Sequence, residues 1–165
     1  MTKLLSIFRH ADAQQHPRFS DYERPLSASG VADAEAMLGY LEASLPPIDK
    51  VFCSDSVRTL ETLEIFNRAL ALTPEQIISD SSLYLASTAE LIASVEALSN
   101  EWQHAALVGH NPGLTALCNF YTGDALRELP TASHYAIAFE TDDWTASDRS
   151  TGVLQSFTVP QQFKS

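Results

Sequence analysis

The chain has little cysteine, little positive charge and no long apolar run, and each absence excludes a class of protein. Its 165 residues contain two cysteines, Cys53 and Cys118, which is too few for a disulfide framework and fits a reducing compartment. Ten basic against 21 acidic residues give a formal net charge of −11, which excludes a general nucleic-acid binder. No apolar stretch is long enough to span a membrane, and Arg9 ends the first one before a signal-peptide core could form. These absences predict a cytoplasmic protein with no nucleic-acid or membrane partner.

The length and apolar content are those of a globular chain. An apolar fraction of 45% and a length of 165 residues are enough to bury a sizeable core. We find no internal repeat and no low-complexity linker in the sequence. The sequence therefore predicts one domain that spans residues 1–165.

Short apolar runs alternate with segments of helical periodicity. Strands are predicted at 4–8, 50–53, 105–108, 135–139 and 153–159, and a strand or an irregular segment within 77–85. Helices are predicted from Ser27 to the Pro46–Pro47 pair, after Ser54 or Asp55, from Thr88, and from Asn111–Pro112. No helix separates the last two strands, so they should form an antiparallel hairpin around an exposed acidic loop. The fold class predicted is α/β, a three-layer αβα sandwich with a mostly parallel sheet and a C-terminal antiparallel hairpin.

Arginines and histidines follow three of the predicted strands. Arg9 and His10 end the first strand, Arg58 comes one turn into the helix after the second, and His110 follows the run at 105–108. Ligands of such sheets bind beyond the carboxyl ends of the strands, so these side chains should meet at one rim. Arginine pairs bidentately with phosphate, a helix beginning at Asn111 would add backbone donors, and a neutral imidazole can attack phosphorus. The pattern predicts a pocket for a phosphoryl group.

Four segments carry a resemblance to a known family. They are Phe8–Asp12, Arg24–Gly30, Cys53–Thr62 and Val108–Leu114. In this order and spacing they resemble the motifs of the histidine phosphatase superfamily, the phosphoglycerate-mutase-like enzymes. The short chain and the Arg-His-x-Asp start are most similar to the SixA-type phosphohistidine phosphatases of bacteria.

The resemblance implies a role for each matching residue. His10 would be the nucleophile, Arg9 and Arg58 would hold the phosphate oxygens, and His110 would stabilise the transferred group. Contacts to substrate are expected from three further residues: Arg24, Asp12 and Asn111. Of these, Asn111 would also hold the rim in shape. No metal ion and no organic cofactor is expected, since the arginines would repel a cation.

Two departures from the family pattern bear on the substrate. Ala11 stands where the family usually has glycine, which implies an ordinary backbone or a slightly moved ligand. Larger members place an acid, often as Leu-x-Glu, where this chain has Ser82–Ala86. An ester needs an acid to protonate its leaving alkoxide, whereas phosphohistidine loses a neutral imidazole more readily. Short connections between the elements also predict an open site.

These arguments predict a phosphohistidine phosphatase that acts on a phosphorylated protein through a phosphohistidine enzyme intermediate. The alternatives are a phosphomonoesterase for a small phosphorylated metabolite, with Asp12 as the acid, and a phosphate-binding module without turnover. Individual residues also have simpler interpretations. Arg58 could pair with Glu61 or Glu64 on its helix, Arg24 could pair with Asp21 or Glu23, and Asp12 could hold its loop. The remaining histidines are expected at the surface: His16, His104 and His134.

Overall fold

A six-stranded mixed sheet organises the computed structural model, which describes residues 1–164. Its strands are β1 (Lys3–Arg9), β2 (Lys50–Ser54), β3 (Ile77–Asp80), β4 (His104–Gly109), β5 (His134–Phe139) and β6 (Gly152–Thr158). They lie in the order β3-β2-β4-β1-β5-β6, in which β1 to β4 are parallel and β5 and β6 are antiparallel to their neighbours. The predicted α/β class and the C-terminal antiparallel pair are confirmed.

Helices cover both faces of this sheet. They are α1 (Ala28–Ala36), α2 (Leu38–Ser44), α3 (Val57–Leu70), α4 (Thr88–Glu96) and α5 (Gly113–Thr122). One cluster of buried apolar side chains joins Leu5 and Leu107 of the sheet to α4 and α5, and a second joins Phe8 and Val108 to α1, α2 and α3. Side chains of successive residues in one strand, such as Leu107 and Val108, thus pack into clusters on opposite faces of the sheet, as strand geometry requires. Among residues 1–164, no helix has the length and apolar character needed to cross a membrane.

The predicted single helix between Ser27 and Pro46 is wrong, because the structure contains two. The N–H of Met37 bonds to the carbonyl of Ala34, three residues back, and this tight turn separates α1 from α2. Gly39, a weak helix former, lies two residues after Met37. Met37 is fully buried, so the two helices still present one apolar face to the sheet.

The carboxyl ends of β1, β2 and β4 lie side by side. Arg9 pairs in register with Gly109, and Cys53 pairs with Val108. The residue after β1 is His10 and the residue after β4 is His110. The topology therefore places both histidines at one rim, next to the start of α3.

The loop between β5 and β6 is only partly the exposed acidic tip that the sequence predicts. Asp142, Asp143 and Asp148 are exposed, but Trp144 between them is fully buried. Its indole N–H donates to the carbonyl of Trp102 at 3.1 Å. Lys3 at the start of β1 lies 5.8 Å from the centre of the Trp144 ring. This loop is consequently anchored at the amino end of the sheet's parallel strands.

The expected surface position of His104 and His134 is wrong, whereas His16 is exposed. Both buried imidazoles bond to the hydroxyl of Ser6, at 2.7 Å and 2.8 Å. Nδ1 of His104 faces the carbonyls of Pro46 and Pro47, which only accept, so Nδ1 carries the proton and donates. Nε2 of His104 must then accept from the Ser6 hydroxyl, and the Ser6 oxygen accepts from His134. Hydrogen bonds thus satisfy the buried rings, a pairing that no periodicity in the sequence indicates.

These buried rings predict an acid-sensitive fold. Burial, together with the nearby His104, lowers the pKa of His134 to about 3, so the unfolded chain binds this proton at a pH where the folded chain does not. Stability must therefore fall as pH falls below about 6.5, by up to about 1.4 kcal/mol per pH unit for one histidine. Urea unfolding between pH 7 and pH 4 should show a shallower pH slope for His134→Gln than for the unaltered protein. His16→Gln should keep the original slope, and equal slopes in all three proteins would contradict the assignment.

Candidate functional site

His10 presents a neutral ring with a defined tautomer. Its Nδ1–H donates to the carbonyl of Ala11 at 2.7 Å, so the lone pair lies on Nε2. Nε2 accepts from the Nε–H of Arg58 at 3.4 Å. Burial is the main cause that lowers the pKa of His10 to about 4, and the charges of neighbouring arginines act in the same direction. At pH 7 the imidazole is unprotonated, which is the form that can attack phosphorus.

Ala11 adopts an ordinary backbone conformation, one of the two outcomes that its replacement of glycine implies. The non-glycine residues with positive φ among residues 1–164 are Ala71, Leu85, Ala132 and Ser150. The Ala11 side chain is fully buried, and its N–H donates to the hydroxyl of Thr62 on α3 at 2.9 Å. This bond ties the chain beside His10 to the helix that carries Arg58.

His110 faces His10 across the rim, with ring centres 5.3 Å apart. Its Nδ1 accepts from Arg58 at 3.2 Å, since a guanidinium only donates. Its Nε2–H therefore donates to the hydroxyl of Ser54, at 2.8 Å. Burial, followed by the charges of His10 and Arg58, lowers the pKa of His110 to about 3. Both site histidines are thus neutral at pH 7.

Arg58 connects the two imidazoles. It is the second residue of α3 and only 2% exposed, so the simpler alternative, a pairing with Glu61 or Glu64 at a solvated face, is wrong. Besides its bonds to both histidines, it donates to the backbone carbonyl and the carboxylate of Asp21, at 2.6 Å and 3.1 Å. One buried guanidinium therefore holds two rings and one carboxylate in fixed relation.

Two further arginines reach the same cavity. Arg9 donates to Glu128 at 3.2 Å and to the carbonyl of Leu129 at 2.9 Å, while its buried Nε–H has no hydrogen-bond partner within residues 1–164. Arg24 pairs with Asp21 at 3.0 Å, one of the two ion pairs that the sequence allowed as its simpler interpretation. We call the space they enclose the histidine cavity. It measures about 270 Å³ and is lined by Arg9, His10, Asp12, Ala13, Gln15, Asp21, Arg24, Arg58, Leu85, His110, Asn111 and Thr131.

Asp12 and Asn111 also line the histidine cavity, and the side chains of both make structural bonds, that of Asp12 through one of its two oxygens. The Asp12 carboxylate accepts from Ser27 at 2.7 Å, the loop-holding role that the sequence allowed. The Asn111 oxygen accepts from the N–H and the hydroxyl of Thr115, and its NH₂ donates to the carbonyl of Leu129. A substrate contact by either residue stays a prediction.

The start of α5 differs from its predicted form. Pro112 occupies the N-cap position and Gly113 is the first helical residue, so Asn111 lies one residue before the cap. The N–H groups of Leu114 and Thr115 bond to the carbonyl of His110 and the side chain of Asn111. These two amides are therefore not the free phosphate donors that the sequence predicts for this helix end.

Asp21 and Tyr84 are the site residues whose importance the sequence does not reveal. The Asp21 carboxylate accepts from Arg24, Arg58 and the hydroxyl of Tyr84, and these bonds lower its pKa to about 2. The Tyr84 ring stands edge-on to His110, with centres 5.4 Å apart. Spacing indicated only the Asp21–Arg24 pair, because the other partners come from α3 and from the segment after β3.

Asp21→Asn should destabilise the protein by roughly 1–2 kcal/mol, because the buried Arg58 loses its carboxylate partner while solvent screens part of the effect. The lowered pKa means that this stabilisation is present above about pH 4 and is lost as pH falls through about 2. Urea unfolding at pH 7 measures the difference. Glu23→Gln is the matched control, because Glu23 lies on the same short turn, is exposed and bonds only locally to Ser20. Equal stability of the two variants would contradict the role of Asp21.

The arrangement is suited to a tetrahedral oxyanion. Three guanidinium groups and two neutral imidazoles surround a cavity of about 270 Å³, in a chain whose net charge is −11. Arginine forks match phosphate geometry, and His10 offers a nucleophilic nitrogen beside them. Positioning and charge stabilisation are the main requirements of phosphoryl transfer.

A family model described as the histidine phosphatase superfamily (branch 1) matches residues 5–83, the part that contains His10, Arg24 and Arg58. This match covers just under half of the chain, so the chain is similar to the histidine phosphatase superfamily over that part. An uncharacterized protein of Mycobacterium leprae is 28% identical over a match that covers 93% of this chain and 99% of the length of that protein. A candidate phosphohistidine phosphatase SixA from Nakamurella multipartitia is 26% identical, with a TM-score of 0.83 and 97% of each chain covered.

Two further solved structures share the fold of this chain. The protein histidine phosphatase SixA complexed with tungstate is 23% identical, with a TM-score of 0.83 over 98% of this chain and 99% of that one. A mycobacterial glucosyl-3-phosphoglycerate phosphatase is 16% identical, with a TM-score of 0.68 over 94% of this chain and 98% of that one. At these identities the likeness concerns the fold alone, so the substrate has to be argued from the site.

Proposed function

We propose that this protein is a phosphatase that hydrolyses phosphohistidine on another protein through a phosphoenzyme formed on His10. The observation that carries the proposal is that one guanidinium, Arg58, donates to the free nitrogens of both His10 and His110. Phosphoryl oxygens are stronger acceptors than imidazole nitrogens, because they are charged. A bound phosphoryl group would therefore take over these donors and release the His10 lone pair for attack.

The proposed reaction has two balanced steps. In the first, the His10 Nε2 lone pair attacks phosphorus, the P–N bond of the substrate breaks, and the departing imidazole takes a proton from solvent. In the second, water attacks phosphorus and the bond between phosphorus and Nε2 breaks. Inorganic phosphate takes the protons of the water and leaves, and His10 is restored in its neutral form. Arg9 and Arg58 would hold and stabilise the phosphoryl oxygens in both steps. His110 would join them on taking a proton at Nδ1, which accepts from Arg58 when no phosphoryl group is bound. Neither step requires a metal ion or an organic cofactor.

The walls of the histidine cavity favour a phosphoramidate over an ester. The segment after β3, where larger family members carry an acid, contributes Leu85 to the cavity. The Asp12 carboxylate is bonded to Ser27, and that of Asp21 to two arginines and Tyr84. Expelling an alkoxide would need a free acid, which imidazole as a leaving group does not require.

Room for a protein substrate lies next to the reacting groups. A groove of about 580 Å³ shares Arg9 and Asn111 with the histidine cavity and continues along Asn119 and Arg127. The groove is open to solvent, so a phosphorylated side chain on a protein surface could enter along it. This access supports a macromolecular substrate.

Comparative kinetics test the proposal. The purified protein is given a phosphohistidine-bearing protein or glycerol phosphate, and released inorganic phosphate is measured. We expect kcat/KM to be at least about 100-fold higher for phosphohistidine, which corresponds to the usual contribution of the missing acid. Binding of orthophosphate without hydrolysis of either substrate would instead indicate a binding module and overturn the proposal.

A second candidate is a phosphomonoesterase for a small metabolite. It is favoured by one observation, that the Asp12 carboxylate lines the histidine cavity two residues from His10. In that case glycerol phosphate would be the better substrate, and Asp12→Asn would remove this preference.

A further inference from the structure

Leu85 combines a strained backbone with an exposed apolar side chain beside the reacting groups. Its φ is +50°, a conformation that costs a branched residue free energy and that glycine or asparagine adopts more readily. Its side chain is 55% exposed, so burial in the core does not favour leucine here. It nevertheless lines the histidine cavity. Neither backbone preference nor core packing accounts for a leucine at this position.

The neighbours of Leu85 explain how it is held there. Leu83 is buried in the core, and Tyr84 is fixed by its hydroxyl on Asp21 and its ring against His110. Ala86 lies so close to Gly113 that a Cβ on that glycine would stand 2.4 Å from the Ala86 carbonyl oxygen. The chain is therefore fixed on both sides of Leu85, and the left-handed turn leaves its side chain at the mouth of the cavity. Strain retained at such a place points to a role for the side chain.

Leu85 also differs chemically from the rest of the cavity wall. Charged or polar groups dominate the lining, and the side chains of Leu85 and Ala13 are its apolar members. The arginines and His10 can engage the phosphoryl group, whereas an aliphatic side chain cannot. What remains for Leu85 is the part of the substrate that bears the phosphoryl group.

We propose that Leu85 is a specificity-determining residue that packs against a flat, weakly polar ring in the leaving group. This inference rests on the proposed function and makes it more specific, since the imidazole of phosphohistidine is such a ring. A polyhydroxylated sugar would find no hydrogen-bond partner in Leu85, and its hydroxyl groups would lose water without compensation. Leu85 thus selects the group that carries the phosphate, while the arginines and histidines select the phosphate itself.

The first experiment compares Leu85→Asn with the unaltered protein on two substrates. Phosphohistidine carries a ring, and phosphoramidate has ammonia as its leaving group. We expect kcat/KM for phosphohistidine to fall about fivefold to tenfold, as the loss of a half-buried apolar contact predicts, and that for phosphoramidate to stay within about twofold. Equal losses on both substrates would overturn the proposal, since Leu85 would then act through the architecture of the site. Unchanged kinetics on phosphohistidine would overturn it as well.

A stability measurement separates this role from a structural one. Asparagine tolerates positive φ, so Leu85→Asn should unfold at an equal or higher urea concentration while losing activity on the ring substrate. Ala71→Gly is the matched control, because Ala71 has a φ of +53° at the end of α3, away from the cavity lining. The Ala71→Gly variant should keep the kcat/KM of the unaltered protein on both phosphohistidine and phosphoramidate. A destabilised Leu85→Asn with lost activity on both substrates would assign Leu85 a structural role and overturn the proposal.

A binding experiment tests the inference even if the protein does not turn over phosphohistidine. Phenylphosphonate and methylphosphonate both present a tetrahedral anion, but only the first carries a ring. Leu85→Asn should weaken phenylphosphonate binding about fivefold to tenfold and leave methylphosphonate binding unchanged. Parallel changes in both affinities would overturn the role of Leu85, whatever the catalytic activity. If only the proposed function is wrong, Leu85→Asn will still weaken binding of phenylphosphonate alone, but the unaltered protein will not hydrolyse phosphohistidine.

Discussion

His10→Gln should abolish turnover, with a loss in kcat/KM of about 10,000-fold or more, because the attacking nitrogen is removed. The phosphoenzyme should disappear with it. In the unaltered protein, a labelled phosphoryl group trapped by an alkaline quench should map to His10, because phosphoramidates survive base and are hydrolysed in acid. The lowered pKa of His10, about 4, keeps its ring unprotonated, so labelling should persist undiminished from pH 8 to pH 6. Mass spectrometry of the quenched protein provides the measurement.

The control for this substitution is His16→Gln. His16 lies six residues further along the same loop and is exposed. Its replacement should leave both turnover and label unchanged. Persisting turnover in His10→Gln, or label on a residue other than His10, would remove the basis for the proposed mechanism.

Arg58→Lys should lower kcat/KM by about 100- to 1,000-fold, the range found when one preorganised donor to a developing oxyanion is removed. Lysine keeps the positive charge, but it has no planar fork that could serve two imidazoles and Asp21 together. The loss should lie mainly in kcat, because transfer depends on how the phosphoryl group is oriented against Nε2 of His10. Steady-state kinetics on a phosphohistidine-bearing protein separate kcat from KM.

Arg68→Lys is the matched control for this prediction. Arg68 lies on the same helix, ten residues after Arg58, and makes a solvent-exposed ion pair with Glu35 at 2.8 Å. Such pairs contribute little, so activity and stability should both remain close to those of the unaltered protein. A similar loss in both variants would show that any arginine replacement on α3 impairs the protein, and would contradict the specific role of the Arg58 guanidinium.

The rim could be predicted from the sequence because its residues are adjacent to strand ends. Arg9 and His10 follow one apolar run and His110 follows another, and parallel strands end at a common edge. The C-terminal antiparallel pair could also be predicted from the sequence, since no helical segment separates β5 from β6. In each case the sequence pattern lies within one short segment, and the geometry of the sheet determines how these segments come together.

What could not be predicted depends on contacts between distant segments. Asp21 gathers Arg58 and Tyr84, which lie 37 and 63 residues away along the chain. Ser6, about 100 residues away or more, bonds to the buried rings of both His104 and His134. Polar residues without periodicity are normally exposed, and only the tertiary fold reveals that these have partners.

The anchoring of Trp144 gives the molecule a built-in optical reporter of its remote end. Trp144 lies near Lys3 at the start of β1, while His10 follows the last residue of that seven-residue strand. Strand geometry puts about 20 Å between the two ends. Indole emission should therefore follow loss of the folded state and remain indifferent to anions at the opposite rim. A change in this emission accordingly reports unfolding itself, without a direct optical contribution from ligand bound at the rim.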